Sequence, residues 1–172
     1  RYDGRVAIIT GAGGGLGKTY ALLLGKRGAK VVVNDLGGKP DGTGASTSMA
    51  DTTVSEIKAA GGEAVANYDS VSTPDGGKKI TQCALDHFGH VDIVINNAGV
   101  LRDKTFLKLT PEELEIVLDV HLKGAFYVTQ PAFASMKENN YGRILMTAAA
   151  AGVFGNFGQT NYGAAKMGLV GL

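Results

Sequence analysis

The chain has 172 residues, of which 44% are hydrophobic and 19% charged, and its formal net charge is +1. That length and apolar content suffice for one buried core and exclude a disordered polypeptide; so small a net charge gives no broad basic surface, and no nucleic-acid partner is expected. The single cysteine, Cys83, excludes an internal disulfide and belongs to no C-x-x-C pair, so a buried thiol in a reducing compartment fits better than a thiolate metal site, and no metal is expected.

The chain opens on Arg1-Tyr2-Asp3-Gly4, which does not resemble a signal peptide, and no apolar run reaches the roughly 18 residues of a membrane span, so no membrane partner is expected. Short β-branched runs then alternate with helical patterns. Val6–Ile9 leads into a glycine-rich turn and a helix over about Leu16–Arg27. Val31–Val33 precedes a helix over Thr47–Ala60, and Ala64–Ala66 one over Pro74–Phe88. Val91–Ile95 precedes a helix over Pro111–Lys137, and Arg143–Met146 one from Tyr162 onward. Continuous apolar strands suit a sheet covered on both faces, and strict alternation predicts βαβ units: an α/β fold with a Rossmann-type doubly wound parallel sheet. Thr110-Pro111-Glu112-Glu113 predicts a capped helix start, and Pro131 a kink or an early end. The apolar tail Gly168–Leu172 has no helix stop signal after it, so the expectation is a single dinucleotide-binding domain over 1–172, truncated at its C-terminus.

After the first strand comes Thr10-Gly11-Ala12-Gly13-Gly14-Gly15-Leu16-Gly17-Lys18. Glycines let a backbone turn tightly against a pyrophosphate, and the free N–H groups of a helix start favour its negative charge. A tight strand-to-helix turn could use glycine for geometry alone. The next strand, however, ends on Asn34-Asp35, about 20 residues on, where a carboxylate accepts the ribose hydroxyls of NAD and repels the extra phosphate of NADP. NAD is therefore the expected cofactor. Further along, Tyr162-Gly163-Ala164-Ala165-Lys166 puts a phenol and an ammonium one turn apart on one helix face. A positive charge beside a phenol lowers its pKa, which suits proton exchange with an alcohol or carbonyl; the same spacing also occurs in ordinary amphipathic helices.

These motifs, with Asn96-Asn97-Ala98-Gly99, resemble the short-chain dehydrogenase/reductase family over essentially the whole chain. The resemblance implies that Gly11, Gly15, Leu16 and Gly17 hold the pyrophosphate, and that Asp69, Ser70 and Val71 border the adenine. It also implies that Asn97, Ala98 and Gly99 lie along the cofactor, and that Tyr162 and Lys166 form the catalytic pair, with Lys166 also on the nicotinamide ribose. Val33–Gly38, Ala66–Val71, Gly99–Phe106 and Gly155–Gln159 are similar to the (3R)-hydroxyacyl-CoA dehydrogenase branch found in peroxisomal multifunctional enzymes. That likeness implies NAD-dependent oxidation of a (3R)-3-hydroxyacyl-CoA in fatty-acid β-oxidation. It further implies an acyl-CoA substrate, a homodimer or one domain of a larger multifunctional chain, and a peroxisomal location, or a cytoplasmic one in a bacterium.

Two positions depart from the family pattern. The serine that family members carry thirteen residues before the tyrosine is replaced by Ala149, which cannot donate a hydrogen bond to the substrate oxygen. Thr147 lies two residues away and, in a strand, would face the same way roughly 6–7 Å off, too far to compensate. His121 stands where many members have an asparagine that helps hold a proton-relay water, although the hydroxyacyl-CoA branch also has histidine. A buried, locally hydrogen-bonded histidine is the alternative reading. His87 and His90 flank a helix end and carry no catalytic expectation. The alternatives to a hydroxyacyl-CoA dehydrogenase are a catalytically impaired NAD-binding module and a dehydrogenase of another secondary alcohol.

Overall fold

The computed structural model describes residues 1–172. Five strands, β1 (Val6–Thr10), β2 (Lys30–Asn34), β3 (Glu63–Asn67), β4 (Ile93–Asn96) and β5 (Arg143–Met146), form one parallel sheet in the order β3-β2-β1-β4-β5. Between them run α1 (Gly15–Lys26), α2 (Ser48–Ala59), α3 (Pro74–Phe88), α4 (Pro111–Leu118) and α5 (Gly124–Glu138), and after β5 come α6 (Ala150–Phe154) and α7 (Thr160–Gly171). This is the doubly wound Rossmann-type sheet that the alternation predicts, and no helix is long and apolar enough to cross a membrane.

Alternation along β1 divides the core between the two faces of the sheet. Ala7 and Ile9 pack with Leu24, Val31, Val33, Val54 and Ile57 under α1 and α2, whereas Val6 and Ile8 pack with Val32, Ile80, Val94, Val128 and Met136 under α3 and α5. Every β1 residue is buried, as a central strand covered on both sides requires. By contrast β5 pairs with β4 alone, and Ile144 and Leu145 on it are exposed.

The order reverses between β1 and β4, because the chain winds outward from β1 to β3 and then returns to the other side of β1. At such a switch point the turns leaving the two strands diverge and open a crevice at their carboxyl ends. The glycine turn and Ala98-Gly99 flank this crevice.

Three local features differ from the sequence reading. The helix expected over Pro111–Lys137 is interrupted, upstream of Pro131, by a π-helical stretch at Asp119–Lys123, while α5 runs through Pro131 without a break. Proline lacks the N–H that would bond the Tyr127 carbonyl four residues back. That carbonyl lies against Gly77 of α3, where a Cβ would come within 2.3 Å of it. Strand β4 starts at Ile93 rather than Val91, although Asp92 N–H still bonds the Val6 carbonyl at 3.0 Å. The short helix α6 is not among the helices that the alternation predicts. The capping box at Thr110 and Glu113 is present as expected.

Candidate active site

The glycine turn places its helix start in the crevice. Asp35 reaches back to it, its Oδ2 accepting from Gly13 N–H at 2.7 Å and its Oδ1 from Gly37 N–H at 2.7 Å. The N–H groups of Gly14, Gly15, Leu16 and Gly17 donate to no protein acceptor, the arrangement a helix start offers to an anion. Gly15 has φ +52° with open space where a Cβ would stand, whereas at Gly17 a Cβ would come within 2.1 Å of the Gly11 carbonyl. Gly15 thus frees the turn's backbone conformation, and Gly17 lets α1 close on the strand. These residues fit a dinucleotide: unpaired amides for a pyrophosphate, and beyond them a carboxylate for ribose.

Opposite the turn, Asn97 stitches β4 to β1. Its Nδ2 donates to the carbonyls of Thr10 at 3.1 Å and Gly11 at 3.2 Å, and the N–H groups of Asn97 and Ala98 donate to Thr10 Oγ1 at 3.0 Å. The side chain of Asn97 is therefore committed to the protein. Gly99 lies so close to His121 that a Cβ would come within 2.4 Å of its ring. At the end of β3, Asp69 is bonded by Asn67 Nδ2 at 2.8 Å, Ser70 Oγ lies 2.8 Å from Ser72 Oγ, and Val71 turns into the core against Gly124.

Tyr162 and Lys166 share one face of α7 as their spacing predicts, and both meet His121. The His121 ring stands edge-on to Tyr162 with centroids 5.1 Å apart. His121 is buried, its Nε2 lying 2.9 Å from the Val100 carbonyl and 3.1 Å from the Val100 N–H, while its Nδ1 has no partner. Burial, with the Lys166 charge, pushes its pKa down to about 4, so the ring is neutral at pH 7. Burial likewise pulls Lys166 down to about 8. A cavity of about 10 Å³ bordered by Thr10, Asn96, His121 and Lys166 lies between His121, Lys166 and the end of β1, and is at the lower limit for one water molecule.

One expectation is corrected here. The Tyr162 pKa is raised rather than lowered, first by burial and then by the negative charge of Asp103. The Lys166 Nζ instead donates a short bond to the Thr147 carbonyl and lies 5.5 Å from the centre of the tyrosine ring.

Ala149 is the extended residue that caps α6, with φ −152° and ψ 152° and no side-chain cap bond. The strand geometry assumed for Thr147 and Ala149 does not hold: the strand ends at Met146, and Ala148 N–H turns back to the Met146 carbonyl at 3.0 Å. The Thr147 hydroxyl is buried without a partner, so it does not replace the serine, for a different reason than distance along a strand.

The sequence reading missed a polar frame around the tyrosine. Asn161, 1% exposed, bonds Arg102, Glu113 and Tyr162, and Gln159 Nε2 donates to Asp103 at 2.9 Å. An asparagine directly before the tyrosine was the available signal. The loop after Asp35 was also unread: Ser46 N–H closes its base on the Leu36 carbonyl at 3.0 Å, and the Pro40 carbonyl accepts from Leu101 N–H at 3.0 Å. His87 bonds its own helix at the Cys83 carbonyl and His90 pairs with Asp92, both away from this site.

The family model described as short chain dehydrogenase matches residues 5–172. The chain is 59% identical, over 172 residues, to a Drosophila melanogaster protein named peroxisomal multifunctional enzyme type 2, covering 100% of the chain and 28% of that protein. It is 57% identical over 171 residues to the peroxisomal hydratase-dehydrogenase-epimerase of Saccharomyces cerevisiae, covering 99% and 19%. It thus spans under a third of these two relatives. Among solved structures, a short chain dehydrogenase from Mycobacterium avium superposes with a TM-score of 0.89 at 43% identity, covering 99% of this chain and 61% of that one.

Proposed function

The chain belongs to the short-chain dehydrogenase/reductase family, and on that premise we propose that it oxidises a (3R)-3-hydroxyacyl-CoA to the 3-ketoacyl-CoA with NAD. The observation that carries this reading is the meeting of Lys166 and His121 with the end of β1 around one small cavity, with Tyr162 packed edge-on against His121, beside a helix start with four unpaired N–H groups. The acyl-CoA substrate and the place in β-oxidation rest on the likeness of Val33–Gly38, Ala66–Val71, Gly99–Phe106 and Gly155–Gln159 to the (3R)-hydroxyacyl-CoA dehydrogenase branch, and the relatives named peroxisomal multifunctional enzyme and hydratase-dehydrogenase-epimerase support a peroxisomal dehydrogenase.

NAD, when bound, supplies the acceptor for the hydride that leaves the carbinol carbon. Gly14–Gly17 would hold its pyrophosphate, Asp35 would accept from the ribose hydroxyls and disfavour a 2′-phosphate, and Asp69, Ser70 and Val71 with Asn97–Gly99 would border the rest. Tyr162 takes the hydroxyl proton as its oxygen becomes a carbonyl. Because burial and Asp103 hold the phenol up in the free protein, its proton must be lost at a cost that a closer Lys166 ammonium would reduce. Neutral His121 adds no charge to that balance.

Exposed Phe126 and Phe133 on α5, with Met167 and Val170 on α7, support a homodimer through these helices. A domain of a longer multifunctional protein in the peroxisome, or the cytoplasm for a bacterial source, completes the proposal. A second reading, an NAD-binding module without turnover, is favoured by Ala149 and by the buried Thr147 hydroxyl. The test is Tyr162→Phe: NAD-linked turnover is expected to vanish with cofactor affinity nearly unchanged, and retained turnover would remove Tyr162 from its role.

A further inference from the structure

The segment that leaves β4, Val100–Lys104, is tied residue by residue to other parts of the site. Val100 bonds His121, and Leu101 N–H donates to the Pro40 carbonyl at 3.0 Å. The Arg102 carbonyl accepts from Asn161 at 2.9 Å, the Asp103 carboxylate accepts from Gln159 at 2.9 Å, and Lys104 N–H donates to the Gly158 carbonyl at 2.9 Å. Of the two side chains that α7 and its approach contribute to these ties, Gln159 and Asn161, Asn161 is the buried one, at 1% exposure.

Its amide makes three bonds, two of them to distant stretches of chain. Nδ2 gives one hydrogen to the Arg102 carbonyl and the other to the Glu113 carbonyl in α4 at 3.1 Å, and Oδ1 accepts from Tyr162 N–H at 2.8 Å. Asparagine is a poor helix former, and a buried amide is tolerated only when it is paired. Here the pairing joins the backbone of the tyrosine to the post-β4 segment and to the first turn of α4.

We propose that Asn161 is the positioning residue for Tyr162: it fixes the helix that carries the phenol against Val100–Lys104 and α4, and so sets where the phenol meets the reacting alcohol. It touches neither alcohol nor cofactor and acts through the N–H of the next residue. The groups facing the phenol are the His121 ring on the π-helical stretch, Lys166 on α7 and the Asp103 carboxylate on the post-β4 segment. Cutting the tether loosens the element that carries Asp103. The kinetic consequence rests on the dehydrogenase reading above; the phenol's own titration does not.

The experiment compares Asn161→Ala and Asn161→Ser with the unmodified full chain. The serine variant keeps an oxygen for Tyr162 N–H and replaces the two amide N–H donors by one shorter hydroxyl, and it carries the test if the alanine variant fails to fold. Turnover with NAD and a (3R)-3-hydroxyacyl-CoA is read alongside the tyrosinate absorbance of Tyr162, obtained by subtracting the titration of Tyr162→Phe. Misplacing a reacting group by about 1 Å costs on the order of 100-fold, so the expected fall in kcat is about 10–100-fold with KM for NAD nearly unchanged. The phenol should also titrate at lower pH as Asp103 withdraws and water reaches the ring. A folded Asn161→Ser protein with unchanged kcat and an unchanged phenol titration overturns the proposal. So does a parallel loss of NAD affinity with no phenol shift, which marks a merely structural side chain. If the unmodified chain turns over no hydroxyacyl-CoA, the dehydrogenase reading fails while the phenol titration still decides the role of Asn161.

Discussion

Replacing Ala149 by serine should restore a donor to the reacting oxygen, and the local geometry sets both the gain and the competing use of the hydroxyl. Ala149 is half-buried and extended, at φ −152° and ψ 152°, a conformation serine adopts without strain. Its carbonyl already accepts from Gly152 N–H at 2.9 Å, but the first turn of α6 has no side-chain cap. One preorganised donor is worth about 10²–10³ in turnover, or roughly 2.7–4 kcal/mol of barrier. The same hydroxyl used as a helix cap is worth about 0.5–2 kcal/mol of stability. Each kcal/mol moves Tm by roughly 2–4 °C in a chain of this size. Measuring kcat at saturating NAD together with Tm separates the two uses. The expected result is a kcat raised on the order of 100-fold with a small change in Tm. A raised Tm with unchanged kcat would mean that the helix end captures the hydroxyl, and would refute the reasoning that a missing donor limits the enzyme.

Asp35→Ala should relax the preference for NAD over NADP, measured as the ratio of kcat/KM for the two cofactors, because the carboxylate that disfavours a 2′-phosphate is gone. It should also weaken NAD binding, since Gly13 and Gly37 lose their acceptor; an unchanged ratio would count against Asp35 as the selector. His121 gives a pH signature in stability. Its folded pKa is lowered to about 4 by burial and the Lys166 charge, so as pH falls below about 6.5 the unfolded imidazole takes up a proton that the folded one refuses. Stability should therefore fall by up to about 1.4 kcal/mol per pH unit, in total on the order of 3 kcal/mol by pH ~4. Denaturant unfolding from neutral pH downward should show this slope flattened in His121→Asn, and equal slopes would place the titration elsewhere.

The sheet was legible because its strands are short apolar runs with turn residues after them, and the Val6–Ile9 pattern needs both faces covered. The glycine turn, Asp35 and the Tyr162–Lys166 pair were legible because each motif is local. What was hidden depends on contacts between distant residues. The π-helical stretch adds no break in apolar periodicity, yet it accompanies the His121 contact with Val100. Pro131 reads as a helix breaker until Gly77 is found against the carbonyl it frees. The raised pKa of Tyr162 follows first from burial and then from Asp103, 59 positions earlier in the sequence, while Lys166 bonds the Thr147 carbonyl. Lysine one turn away on a helix shows proximity, and the direction of its ammonium is decided by the turn after β5.

The most direct measurement is NADH formation from the (3R) and (3S) isomers of a 3-hydroxyacyl-CoA, with NAD affinity determined on the same preparation. Turnover confined to the (3R) isomer is the predicted result. NAD binding without turnover of either isomer would contradict the account and leave the chain a cofactor-binding module, with Ala149 as its mark.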